Sequence, residues 1–430
     1  MSYTCLMAIH FVRLLHIMRE ERRAMEKLIR MVVDGSIEKC LPDNAVKKEL
    51  KNLPSNKGRK ILIAIGKAAY QMAKTALESD VKFDDAVVIT KYDHLTTDLE
   101  GAVCFEAGHP ISDDNTIKAS KYAYDLVKDL SADDLVVMLI SGGGSALFEI
   151  PVVDFSEIQD INNQLLEKGA NIIEINTIRK RLSKLKGGKF AEICKPATVY
   201  NIILSDVVGN RPDMIASGPT YVDQSTCKEA LNIVKKYDLS LSDEALKALE
   251  IETVKELDNS IINISGSVDQ LCLEAKSILE KEGYDVDLLT TSLDSEAKEV
   301  GYVLSAIARY QSKRNDKKAY IFGGETVVYL KGKGLGGRNQ ELAFASAKGI
   351  ANLDNVTIIS YSSDGTDGPT DAAGAYVDGN TMAKLEKLGI NFDEVLANND
   401  SYTALEKIGQ LIKTGPTGTN VNDCAIILIN

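Results

Sequence analysis

The sequence predicts a two-domain α/β protein, and three observations predict it. At 430 residues the chain exceeds the size at which one hydrophobic core usually keeps growing. Short β-rich runs alternate with amphipathic helical segments, the pattern of a largely parallel sheet. Glycine-rich and polar clusters follow directly after the β-rich runs, where ligands gather in open α/β sheets.

Taken in order, residues after Met18 place Met25, Leu28, Ile29 and Val32 at helical spacing, so the folded chain is expected to begin near Met18. ILIAIG (61–66) reads as a buried strand, followed by a helix with Ala69, Met72, Ala73, Ala76 and Leu77 on one face. AVVIT (86–90) and AVCFEAG (102–108) are further strands, and a helix over 115–130 has Asp113 or Asp114 as its cap. LVVMLIS (135–141) is the central strand and runs into Gly142-Gly143-Gly144. Two helices fill 156–192, and TVYNIILSD (198–206) returns to the sheet.

The stretch 237–260 is charged and helical without a strong strand, so the domain boundary is expected there, giving 18–255 and 256–430. A second alternation follows, with strands at 261–266, 286–290, 319–326, 327–330, 356–364 and 424–429 and helices near 269–282, 295–311 and from Arg338. The last strand is allowed to pack back on the first domain.

A formal net charge of -12 disfavours nucleic acid and anionic lipid as general partners, so an anionic substrate must be met by a few placed cations. Seven scattered cysteines without CxxC pairs predict reduced thiols in a cytoplasmic protein. No apolar run reaches the length of a membrane span.

Several segments carry residues suited to phosphoryl transfer. Ser141, Gly142, Gly143, Gly144 and Ser145 leave a strand as a loop whose amides can converge on phosphate, or as a plain tight turn. There is no GxxxxGK[ST] motif, and no GxGxxG follows the first strand. Lys67 opens a helix, where a cation is disfavoured unless an anion shares the site; a solvated lysine is the alternative. Arg338 stands behind four glycines and offers a fork for phosphate or carboxylate. Asp364, Asp367 and Asp371 follow a strand and can hold hard cations or take a hydroxyl proton, though Asp/Gly/Pro turns use the same residues. Asp206 sits at another strand end, with Asp213 nearby. His109 reads as a turn histidine and the basic stretch 179–189 as a solvated helix face. Lys67, Arg338, Asp206 and Asp364 together would supply the cations, metal ligand and acceptor-orienting group that phosphoryl transfer needs.

IGKAA, GHPISDDNT, LISGGGSALF, LSDVVGN, IASGPT, GGRNQELAF, SSDGTDGPTDAAGA and TGPTGTNVND, in that order from about residue 20 to the C-terminus, resemble the glycerate 2-kinase family with a MOFRL-type C-terminal domain. The resemblance implies a Rossmann-like α/β/α N-terminal domain, a smaller α/β C-terminal domain and an active site in the cleft between them. It implies transfer from ATP, with Mg²⁺, to the 2-hydroxyl of D-glycerate, serving a non-phosphorylative Entner–Doudoroff route. Lys67, Arg338 and Asp364 are then catalytic, Ser141–Ser145 and Asn422 bind substrate or phosphate, and Asp206 holds metal. A homodimer is allowed. Many members carry Asp where this chain has Asn210, which puts the metal role of that loop in question. The alternative activity is an NAD(P)H-dependent hydroxypyruvate reductase, against which the missing dinucleotide fingerprint counts.

Overall fold

The computed structural model describes residues 3–205, 209, 211–314 and 316–430, with side chains from residue 20 onward. The chain forms two compact units, and each has its own sheet.

The first unit comprises Cys40–Ser267 and Gly418–Val421. Its strands are β1 (Lys60–Ile65), β2 (Asp85–Lys91), β3 (Val103–Ala107), β4 (Leu135–Ile140), β5 (Thr198–Leu204) and β6 (Ser260–Gly266). They lie in the order β3-β2-β1-β4-β5-β6, every pairing parallel. The near-continuous apolar character of β1 and β4 follows from burial on both faces. Ile61, Ile63, Ile65, Val136, Met138 and Ile140 enter one core, whereas Leu62, Ala64, Val137 and Leu139 enter the core on the opposite face. The helix Asp114–Val127 starts at a capping box in which Asp113 accepts from the Thr116 amide at 2.9 Å.

The second unit comprises the chain up to Lys39, Val268–Thr417 and Asn422–Asn430. It holds β7 (Asp285–Leu293), β8 (Lys318–Gly324), β9 (Val356–Ser362), β10 (Gly374–Asp378), β11 (Leu411–Ile412) and β12 (Asp423–Ile429) in the order β11-β10-β9-β12-β8-β7. Only β7 and β8 pair in parallel; the rest is antiparallel, so this sheet is mixed and not largely parallel. The helices Ala297–Gln311 and Arg338–Ser346 contribute Val300, Leu304, Leu342 and Phe344 to its core.

The division differs from the expected 18–255 and 256–430. Residues 261–266 form an edge strand of the first sheet, where β6 pairs with β5 from Val199 opposite Ser260 to Ile203 opposite Ile264. The apolar run alone could not say which sheet it joins. The first helix, Tyr3–Lys39, extends further back than Met18 and belongs to the second unit. There Ser36 Oγ meets the Tyr361 hydroxyl at 2.7 Å and Arg30 donates to the Lys413 carbonyl at 2.6 Å.

The last strand does not return to the first unit. All seven residues of β12 are buried, as suits a strand flanked on both edges by β9 and β8. Residues 327–330 form no strand; only Val327 makes an isolated bridge, to Glu296. No described helix is long and apolar enough to cross a membrane.

Candidate active site

The order in which strands are added to the first sheet reverses between β1 and β4, since β2 and β3 lie on one side and β5 and β6 on the other. The carboxyl ends at such a switch point form a crevice for ligands. Gly66-Lys67 and Ser141–Ser145 lie on its two sides and are stitched together. The Lys67 amide donates to the Gly142 carbonyl at 2.8 Å, and the Ala68 amide to Ser141 Oγ at 3.0 Å. Gly66 has a φ of 114°, and a Cβ there would fall 2.3 Å from Ser141 Oγ, so only glycine allows this approach. Ser145 Oγ is committed to Ser217 Oγ at 3.0 Å, and Ser217 donates to Asn176 Oδ1 at 2.9 Å.

The structure therefore brings Lys67 and the loop Ser141–Ser145 together. It adds three residues that sequence reasoning left aside. Lys91 ends β2, His94 places Nδ1 3.0 Å from the Lys67 carbonyl, and His109 follows β3. Neither the Lys67 nor the Lys91 ammonium has a hydrogen-bonded or ion-paired partner among the described residues. Burial, then the nearby Lys67, Lys91 and His94, pushes the His109 imidazole below its usual range and favours its neutral form. The available signal was position: all follow the carboxyl ends of adjacent parallel strands.

The other basic cluster is differently disposed. Lys180, Arg181 and Lys186 are buried, not solvated. Lys180 pairs with Asp213 at 3.4 Å and Asp223 at 3.1 Å, Arg181 with Asp223 at 3.5 Å, and Lys186 with Glu149 at 2.5 Å. A cavity of about 520 Å³ opens over Lys180, Asp213, Met214 and Asp223. Its lysine and arginine charges are already matched by carboxylates, so it offers an incoming anion less than the glycine loop does.

In the second unit Arg338, Asp364 and Asn422 converge because Asp423, the first residue of β12, lies in register with Gly324 of β8 and Ser362 of β9. Arg338 grips Asp423 at two points, 2.5 and 3.0 Å, and reaches Glu325 at 3.4 Å. Burial pushes the Asp423 carboxyl upward and the guanidinium draws it back; the two-point geometry is that of an ionised pair. Sequence reasoning named Arg338 but missed both carboxylates that hold it. Asn422, at a φ of 66°, accepts the Ser363 amide on its carbonyl at 3.0 Å.

The three aspartates after β9 separate in role. Asp364 Oδ1 accepts from Ser362 Oγ at 2.9 Å and from the Thr366 amide at 2.9 Å, while Oδ2 has no partner among the described residues. Asp367 is buried and accepts from the amides of Asn339 and Gln340, capping the helix that begins at Arg338; burial raises its pKa to about 7. Asp371 is at the surface with Tyr402 and Lys413. Asp206 and Asn210, to which the metal question was attached, lie outside the described residues. Among the described residues no three His, Cys, Asp or Glu side chains are grouped as a metal site. Asp364, with one oxygen anchored and the other open among the described residues, offers one contact either to a hard cation or to a hydroxyl.

Residues 28–250 match the family described as a domain of unknown function, DUF4147, and residues 318–423 match the MOFRL family. A D-glycerate 2-kinase of Thermotoga maritima is 47% identical over 414 residues, covering 94% of this chain and 99% of that protein. A glycerate 2-kinase of Pyrococcus horikoshii is 39% identical, covering 87% and 88%. A putative hydroxypyruvate reductase of Agrobacterium vitis is 36% identical, covering 86% and 100%. The crystal structure of the Thermotoga maritima glycerate kinase superposes with a TM-score of 0.91 at 47% identity, covering 95% of this chain and all of that one. The chain belongs to the glycerate kinase family.

Proposed function

We propose that this protein transfers the γ-phosphoryl group of ATP to the 2-hydroxyl of D-glycerate, giving 2-phosphoglycerate. The observation that carries the reading is the Lys67 ammonium, without a hydrogen-bonded or ion-paired partner among the described residues, beside the glycine loop at the sheet's switch point. A cation so placed is suited to an anionic substrate group. Two similar relatives, the D-glycerate 2-kinase of Thermotoga maritima and the glycerate 2-kinase of Pyrococcus horikoshii, are named for the same reaction.

In this reading Lys67 meets the glycerate carboxylate or the transferred phosphoryl, and the amides of Ser141–Ser145 receive phosphate oxygens. Arg338, aimed by Asp423, offsets the charge that spreads over the phosphoryl oxygens in transfer. Asp364, fixed through Oδ1, orients or deprotonates the acceptor hydroxyl through its open oxygen. Mg²⁺ carried by ATP would be held by Asp206, directly or through water, and would lower the cost of the developing charge. Asn422 completes the substrate contacts. A cytoplasmic setting and a non-phosphorylative Entner–Doudoroff route go with this assignment.

The test is product formation from D-glycerate, ATP and Mg²⁺, with the phosphorylated carbon assigned by NMR. Phosphate on C2 is expected. Absence of any ATP-dependent product would overturn the proposal, and oxidation of NADPH with hydroxypyruvate would replace it with the reductase reading. Lys67→Ala should lower turnover on the order of a hundredfold or more.

A further inference from the structure

A second layer of the first-unit site has been given no role so far. His109 follows β3 and stands directly against the glycine loop: a Cβ on Gly143 would lie 2.9 Å from His109 Nε2 and 3.2 Å from Lys67 Cγ. The His109 ring nitrogens have no hydrogen-bond partner among the described residues, and neither does the Lys91 ammonium. The imidazole is half-buried, and its nitrogens are free to meet an incoming group.

The surrounding charges are lopsided. Lys67 follows β1, Lys91 ends β2, and His94 sits between β2 and β3. The neighbouring carboxylates are turned to other work. Glu106 Oε1 accepts the amides of His94 and Leu95 at 3.0 and 3.1 Å, and Asp113 caps its own helix and binds the Tyr92 hydroxyl at 2.6 Å. His109 and Lys67 therefore stand against Gly143, and Lys91, opposite Ala107 in the sheet, lies near enough to His109 to act on its charge.

We infer that His109 and Lys91 are substrate-binding residues, completing with Lys67 a pocket for one oxyanion over Gly143. His109 Nε2–H donates to that oxyanion while Lys91 and Lys67 supply charge. The ligand class is a carboxylate or phosphoryl group, hence either D-glycerate or the terminal phosphate of ATP. The role of Lys67 here rests on the reading above, whereas the contacts of His109 and Lys91 are new to it. A neutral donor near two lysines suits the site. It adds a directed hydrogen bond without a third positive charge that would oppose the first two when the site is empty.

The chain has only four histidines, so selective ¹⁵N-histidine labelling of the full-length protein gives a simple spectrum, with His109→Gln assigning the resonance. Inorganic phosphate, D-glycerate and ATP are titrated separately. The expected result is that at least one of them shifts the His109 nitrogens and raises the imidazole pKa, since a bound anion favours the charged ring. Lys91→Ala should weaken that ligand's apparent Kd on the order of tenfold. Response to glycerate alone assigns the carboxylate; response to phosphate and ATP assigns the phosphoryl group. If none of the three moves His109, the inference is wrong even where the wild type phosphorylates glycerate. If His109 responds but no phosphorylated product forms, the oxyanion pocket stands and the kinase reading fails. In the kinetic arm, His109→Gln should raise KM for the assigned substrate by about tenfold and leave the other KM within twofold. Unchanged values for both would overturn the contact.

Discussion

Replacing Asp423 by Asn tests how Arg338 is held. The carboxylate is 8% exposed at its side chain and receives the guanidinium at 2.5 and 3.0 Å. Asn keeps the shape but puts an NH₂ where one oxygen accepted, so one charge-assisted bond is lost and the other is weakened. Removing one partner of a fully buried pair costs roughly 3–5 kcal/mol. Arg338 keeps 28% side-chain exposure and has Glu325 at 3.4 Å, so water and that carboxylate recover part of the loss. The expected destabilisation is therefore about 2–3 kcal/mol, read from urea unfolding as a lower midpoint at unchanged slope. Because the fork aims the guanidinium, kcat should fall about tenfold or more with a smaller change in KM. Arg338→Lys keeps the charge without the fork and should lose turnover likewise. In a double-mutant cycle with Arg338→Met, the two changes should be clearly less than additive. Additive losses, or an Asp423→Asn variant with native midpoint and native kcat, would refute the claim that this pair positions the arginine.

Three further outcomes follow from other residues. Asp367 titrates at about 7 when folded against about 3.9 unfolded, so between these values the folded form binds more protons and stability falls as pH rises, levelling above 7. Asp367→Asn should flatten that slope, gaining on the order of 1–3 kcal/mol relative to wild type from pH 5 to pH 8; equal slopes in both proteins would reject the buried-acid assignment. Gly143→Ala must place a methyl at a φ of 87° against His109 and Lys67, which predicts about 1–2 kcal/mol of lost stability and a marked loss of kcat/KM, and normal activity would mean the loop does not need this approach. Asn171→Ala removes the capping box it forms with Glu174 at the helix Ile172–Arg181 and should cost about 1 kcal/mol in thermal or urea unfolding without touching kcat, so a change in kcat would tie that helix to the chemistry.

What the sequence made legible was local and periodic. Runs such as ILIAI and LVVMLI announce strands buried on both faces, and the glycines after them announce close backbone approach. What it hid was partnership across the sheet. The run IINISG reads as a strand wherever it is placed, and only its register with β5 assigns it to the first unit. The basic stretch 179–189 reads as a wet helix face because its counter-ions Asp213, Asp223 and Glu149 are distant in sequence. Arg338 was visible behind its glycines, yet Asp423 lies 85 residues further along, and nothing in either local pattern couples them.

The segment after β9 shows why composition stops short of role. Asp364, Asp367 and Asp371 share one short run of glycine, threonine and proline, and each could be read as a turn residue, a metal ligand or a base. The fold gives them three environments. Asp371 faces solvent and Lys413, where an ion pair contributes little. Asp367 faces two helix amides away from water, where burial makes its charge costly near neutral pH. Asp364 alone keeps one oxygen anchored and the other open, and an acceptor hydroxyl or a cation needs that combination of fixed direction and free valence. The choice among the three is therefore made where the ends of β8, β9 and β12 meet. That meeting point is built from residues 324, 362 and 423, which only the tertiary fold brings into register.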